Sequence, residues 1–189
     1  MWPAALGVLA LVAGCGGASA THRQSAGRPP SAFAWLKPAA APAGWKQTRL
    51  SASGATFAYP PGWHAIHTDP GTATVALTDS RHKIVGYLNA TPDQGAETLA
   101  NWAGFRTAHI RDEGSRQVRT VAMATGLRFR SGRGSCIADD YRNAATRYRE
   151  IACIVKGSRG TTVIVGAAPV GQWARQAGVI EPAISSFTT

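Results

Sequence analysis

The sequence predicts an α+β domain in which an antiparallel sheet is sandwiched by helices. Three observations predict it. Apolar and polar residues alternate with period two over most of the chain after residue 55, a helix-start signature interrupts the strands after the fourth, and a second helical stretch follows the last. The 189 residues, 44% hydrophobic and 16% charged, suffice for one ordinary core, and they exclude disorder throughout as well as two full domains. The folded domain is expected over residues 45–189.

Residues 56–59 and 63–68 bracket the turn Pro60-Pro61-Gly62, and residues 72–79 alternate Ala73, Val75 and Leu77 with Thr72, Thr74 and Thr78. Residues 83–90 make the fourth strand. Thr91-Pro92-Asp93-Gln94 then offers an N-cap threonine, a first-turn proline and a glutamine three positions on, so a helix is expected from there to Ile110. Leu99, Trp102, Ala103 and Ile110 fall on its apolar face, which makes Trp102 a core anchor, and Gly114 stops it. Strands are expected again over 116–123, 126–130 and 161–167. In the second of these, Leu127 and Phe129 face inward while Arg128 and Arg130 face out. A closing helix over 172–187 is expected to break at Gly178 and restart at Glu181-Pro182.

Between these strands, residues 135–142 and 147–156 read as a hairpin. Folding it about Ala144-Ala145 sets Tyr141 opposite Tyr148, Asp140 opposite Arg149 and Cys136 opposite Cys153. That register brings the two sulfurs together, and a disulfide there would contribute on the order of 3 kcal/mol in the chain-entropy model. The alternative is two buried free thiols. A catalytic redox pair is disfavoured, because the spacing is nothing like Cys-x-x-Cys.

At the other end of the chain, residues 4–13 form an apolar run too short to span a bilayer, which reads as a signal-peptide core over residues 1–14. The run ends at Val12-Ala13-Gly14-Cys15, which resembles the lipobox of bacterial lipoproteins: an apolar residue, two small residues, then the cysteine that takes the diacylglyceryl group. The resemblance implies lipidation of Cys15 and an extracytoplasmic, membrane-anchored protein, although no basic residue precedes the run. Simple secretion and a buried helix are the other readings. Residues 15–44, rich in Ala, Pro, Gly and Ser, read as a tether in which Phe33, Trp35 and Leu36 are either a small docking patch or nothing. With Cys15 lipidated, Cys136 and Cys153 are left as a pair in an oxidising compartment.

The order of elements, with Phe57-Ala58-Tyr59-Pro60-Pro61-Gly62-Trp63 near the start and Ile180-Glu181-Pro182-Ala183-Ile184-Ser185-Ser186-Phe187 at the end, resembles the PsbP-like family. That family is named after an extrinsic subunit of the photosynthetic oxygen-evolving complex. The resemblance covers most of residues 45–189. Both segments are structural in character, so the likeness implies the PsbP-like fold and a binding or accessory module, and it carries no catalytic residues across.

Residues that could do chemistry are few. His64, His67 and Asp69 lie on one strand with Asp79 and His82 around the next turn, a ligand set suited to zinc or copper, but alternation leaves only His67 and Asp69 side by side. Asp139 and Asp140 are adjacent on a strand and point to opposite sides, so they make no dyad. No Gly-x-Ser-x-Gly elbow occurs, Ser185-Ser186 has no base nearby in sequence, and no glycine-rich phosphate loop opens a helix. No metal and no cofactor are expected.

The charge is more informative. The chain carries +10, with 20 basic against 10 acidic residues, and every basic residue lies after Cys15. Arg106, Arg111, Arg116, Arg119, Arg128, Arg130 and Arg133 face only Asp112 and Glu113 within residues 106–133, a segment with half of that net charge. If folding gathers them, they form a basic face for phosphates or carboxylates. Otherwise they are a solvated surface, such as a GC-rich genome produces by codon bias. Nucleic acid is disfavoured as a partner by the export signal and by the lack of an aromatic-basic stacking motif. The sequence thus points to a non-enzymatic module held to the membrane through lipid on Cys15, serving another envelope protein or an anionic polymer or lipid. The alternative is a metal-assisted envelope hydrolase using His67, Asp69 and His82.

Overall fold

The computed structural model describes residues 31–144 and 146–189. The signal segment 1–14, the lipobox cysteine Cys15 and the tether as far as residue 30 lie outside the described residues. The strands are β1 (Lys46–Arg49), β2 (Thr56–Tyr59), β3 (His64–Ile66), β4 (Ala73–Thr78), β5 (Ile84–Pro92), β6 (Arg116–Arg128), β7 (Gly132–Asn143), β8 (Thr146–Gly157) and β9 (Gly160–Pro169). Helix α1 (Trp102–Asp112) lies between β5 and β6, and α2 (Trp173–Ser185) follows β9. β1 and β2 pair with each other, and the other seven strands form one antiparallel sheet in the order β3-β4-β5-β9-β8-β7-β6. This is the α+β sandwich expected, with helices on both faces of the sheet.

Alternation along the central strands builds a core on each face. On one side Leu88, Cys136, Ile151, Cys153 and Ile164 meet Phe57, Ile180, Ile184 and Phe187, all buried. On the other, Ile137, Ala152, Ile154, Val163 and Val165 receive Trp102 of α1, whose indole Nε1 donates to the Ala152 carbonyl at 2.9 Å. The hairpin register places Tyr141 opposite Tyr148, Asp140 opposite Arg149 and Cys136 opposite Cys153, and the two cysteines are joined in a disulfide.

Five elements differ from expectation, β1 among them, since no strand was expected before residue 56. β5 runs on through Thr91 and Pro92, because β9 pairs with both and a proline is tolerated at a strand end. The helix begins instead at Trp102, after a turn in which Thr98 and Asn101 exchange side-chain-to-amide bonds. β6 is one bulged strand rather than two. α2 passes through Gly178 unbroken and contains Pro182, whose missing N–H would have served the carbonyl of Gly178.

The segment expected to be tether also differs. Phe33, in a 3₁₀ turn Ser31–Phe33, is wholly buried with Leu36 in the main core, and the amide of Ala39 bonds the carbonyl of Ser185 at 3.2 Å. The packed domain therefore includes the chain from Ser31 rather than beginning at Trp45.

Close packing of α2 on the sheet depends on Gly166 of β9, where a Cβ would collide with the Ile180 side chain. Gly166→Ala is expected to cost about 1–3 kcal/mol by overpacking. A urea midpoint indistinguishable from the parent's would show that α2 is not seated as described.

Candidate functional site

The α1 face of the sheet carries the strongest electrostatic feature of the domain. Alternation puts Asp139 and Tyr141 of β7 on this face together with Tyr148 and Glu150 of β8, and the register sets Asp139 directly opposite Glu150. Two carboxyl groups thus share one place in the interior, with Asp139 and Glu150 both at 0% exposure. Asp139 does point away from Asp140, as its position on a strand requires. Its partner is a residue on the neighbouring strand. The fold line through Ala144-Ala145 that pairs the cysteines also pairs these two, so the signal was in the sequence.

Arg106, one turn along α1 from Trp102, reaches down to Glu150. Its Nε donates to Glu150 Oε1 at 2.6 Å and its Nη2 to Oε2 at 2.8 Å, a two-pronged grip. The Tyr141 hydroxyl donates to Glu150 Oε2 at 3.4 Å and lies 3.2 Å from the Tyr87 hydroxyl. Burial works against the Arg106 charge, but the attraction and hydrogen bonds of Glu150 outweigh it and raise the pKa further. Burial, and then the Glu150 charge, push the Tyr87 and Tyr141 hydroxyls above their ordinary range. Both oxygens of Asp139 are buried without a hydrogen-bond partner, and burial followed by the Glu150 charge pushes its pKa up to about 8. Near neutral pH the raised pKa keeps Asp139 largely protonated beside the Arg106–Glu150 pair. This cluster fixes α1 on the sheet.

Beside this cluster opens a cleft of about 340 Å³ between α1 and strands β4 and β5. Arg106, His109 and Tyr87 line one part of it, and Thr68, Thr74 and Asn89 another. Thr68 Oγ1 lies 2.8 Å from Thr72 Oγ1 and 2.7 Å from Thr74 Oγ1, and Asn89 Nδ2 donates to Thr74 Oγ1 at 2.7 Å. These hydroxyls bond one another, the Asn89 side-chain amide and the backbone carbonyl of Asp69, to which Thr72 Oγ1 donates at 2.7 Å. Such a wall is suited to hydrogen-bonding a guest.

The seven arginines expected to gather do not form a single face. Arg106 is committed to Glu150. Arg119 donates to Asp140 at 2.6 Å, sharing that carboxylate with Arg149, and both hold the Asp140 pKa below its ordinary range against the effect of burial. Arg149 also lies over the Trp173 ring at 6.0 Å. Arg111, Arg116, Arg128, Arg130 and Arg133 are exposed, but Arg116 stands at one end of the β6–β7 pair, while Arg128 and Arg133 stand opposite each other at the far end.

The histidines do not converge either. His64, His67, Asp69 and His82 are all exposed, and among the described residues no three His, Cys, Asp or Glu side chains come together to hold a metal ion. Asp79 is occupied in its turn by the amides of Lys83 and Arg81, which lower its pKa.

No family model and no curated protein matches the chain. Similar solved structures include the solution structure of cyanobacterial PsbP, CyanoP, from Synechocystis sp. PCC 6803, with a TM-score of 0.55, 15% identity, and coverage of 78% of this chain and 94% of that one. PA94 from Pseudomonas aeruginosa (TM-score 0.46, 9% identity, 71% and 89% coverage) is more distant. So is LpqN, described as involved in cell envelope biogenesis of Mycobacterium tuberculosis (TM-score 0.41, 10% identity, 86% and 100% coverage). A large antiparallel sheet with a helix on each face, superposable over nearly the whole of CyanoP, gives this chain a PsbP-like fold.

Proposed function

We propose that this chain is a lipid-anchored, extracytoplasmic binding module without a reaction of its own, serving an envelope protein or an anionic envelope component. The observation that carries this reading is the cleft between α1 and β4–β5, whose hydroxyl and amide wall can hold a guest by hydrogen bonds. The export reading rests on Val12-Ala13-Gly14-Cys15, and a disulfide between Cys136 and Cys153 suits an oxidising compartment.

The test places a photoreactive amino acid at Asp69, exposed on the cleft lining, or at Arg175, exposed on α2, in intact cells. Asp69 is expected to capture one envelope component that Arg175 does not. The same protein weighed intact is expected to start at Cys15 with acyl mass added. Equal capture from both positions would remove the cleft from the reading, and an unprocessed, unlipidated chain would remove the envelope.

A further inference from the structure

The strand register assembles arginines that lie apart in sequence. Arg116 of β6 is paired with Arg142 of β7, and Arg142 with Arg147 of β8, so three arginines stand side by side across three adjacent strands. Neighbours in such a row are about 5 Å apart at the backbone. All three are exposed, and among the described residues none has a carboxylate within ion-pair distance. Like charges directly opposite one another on a sheet are destabilising. Of the acids on the adjoining elements, Asp140 is held by Arg119 and Arg149, and Glu113 pairs with His109. Asp112 is exposed at the end of α1.

This row borders a depression of about 510 Å³ lined by Arg116 and Arg142 together with Gly114, Gln117 and Ala144. Gln117 and Ala144 both hold left-handed backbone, at φ 54° and 47°, a conformation that side chains other than glycine's disfavour. Repulsion and strain therefore meet at one concave place. A second basic row, Arg128, Arg133 and Lys156, crosses the same strands at their other end. Arg133 and Arg142 are an odd number of residues apart on β7, so the two rows face opposite sides of the sheet.

We infer that the Arg116–Arg142–Arg147 row and its depression bind a phosphate-bearing polyanion. Guanidinium forks grip phosphoryl oxygens two at a time, and a bound polyanion replaces the repulsion within the row by attraction. A concave seat suits a ligand that enters it, whereas a flat bilayer surface would rest on its rim. The inference deepens the reading of an anionic envelope component, and it names a place apart from the cleft.

The probe is sodium tripolyphosphate, titrated calorimetrically into the full chain at low salt. The parent is expected to bind it with an affinity that falls as salt rises. Arg116→Gln with Arg142→Gln should weaken binding about tenfold or more by removing two charged forks. Arg128→Gln with Arg133→Gln, the same charge change in the other row, should weaken it less than about twofold if only screened long-range attraction is lost. Relief of like-charge repulsion should leave the first pair folded, with a melting temperature raised by about 1–2 °C. Should that pair fail to fold, Arg147→Gln alone is expected to weaken binding about threefold. Equal weakening by the two pairs, equal affinity for poly-glutamate, or binding to phosphatidylglycerol vesicles but not to tripolyphosphate would each overturn the inference. Capture from Asp69 that persists alongside any of these results would leave the cleft reading standing, and its loss with tripolyphosphate binding intact would do the reverse.

Discussion

Arg106→Met is expected to be the most damaging single change in the domain, at a cost of about 3–5 kcal/mol, because it strips the buried Glu150 carboxyl of its two best donors. The Arg106 side chain is 12% exposed and that of Glu150 0%, so water cannot take over the lost contacts without the sheet opening. The double variant Arg106→Met with Glu150→Met should regain most of this loss and can exceed the parent, since a well-packed apolar pair carries no desolvation penalty. Urea denaturation of the parent and both variants decides the matter. A double variant as unstable as the single one would mean that α1 is held by something other than this pair.

The second large effect is a dependence on pH set by Asp139. Its pKa rises from 3.8 in the unfolded chain to about 8 in the folded one, because burial and the Glu150 charge both oppose its ionisation. Between about pH 4 and pH 8 the folded state therefore keeps a proton that the unfolded state has released, so stability from this group falls as pH rises across that window and levels off above it. The slope approaches about 1.4 kcal/mol per pH unit where the difference is a full proton. Asp139→Asn keeps the shape and cannot ionise. Melting curves at half-unit steps from pH 5 to pH 9 should show the parent losing stability while the variant stays flatter and overtakes it at the alkaline end. Parallel curves would assign the slope to other groups.

What the sequence disclosed divides along the distance between interacting residues. The β7–β8 hairpin was legible because its register is a local matter: once the turn is fixed at Ala144-Ala145, every cross-strand pair follows. That register yields Asp139 opposite Glu150 and Arg142 opposite Arg147 as surely as it yields the cysteines. Arg106 was read as a surface cation because nothing local announces that α1 crosses the sheet over Glu150, 44 residues away. The helix start at Thr91 failed for the complementary reason. Its capping signature is genuine chemistry, but the pairing of Thr91 with Val163 and of Pro92 with Thr162 supplies long-range bonds that outweigh a cap. Phe33 was passed over because the alanines and prolines around it have the composition of a linker, and composition does not say where one aromatic ring will lodge.

That lodging has a mechanical side. If the chain ahead of Ser31 is a leash to a membrane, a pull along it arrives at a phenylalanine ring enclosed by the core. Withdrawing the ring exposes apolar surface worth about 2–3 kcal/mol, a resistance concentrated over a short travel. Phe33 would behave as a stopper, the first buried side chain among the described residues that such a pull would have to extract.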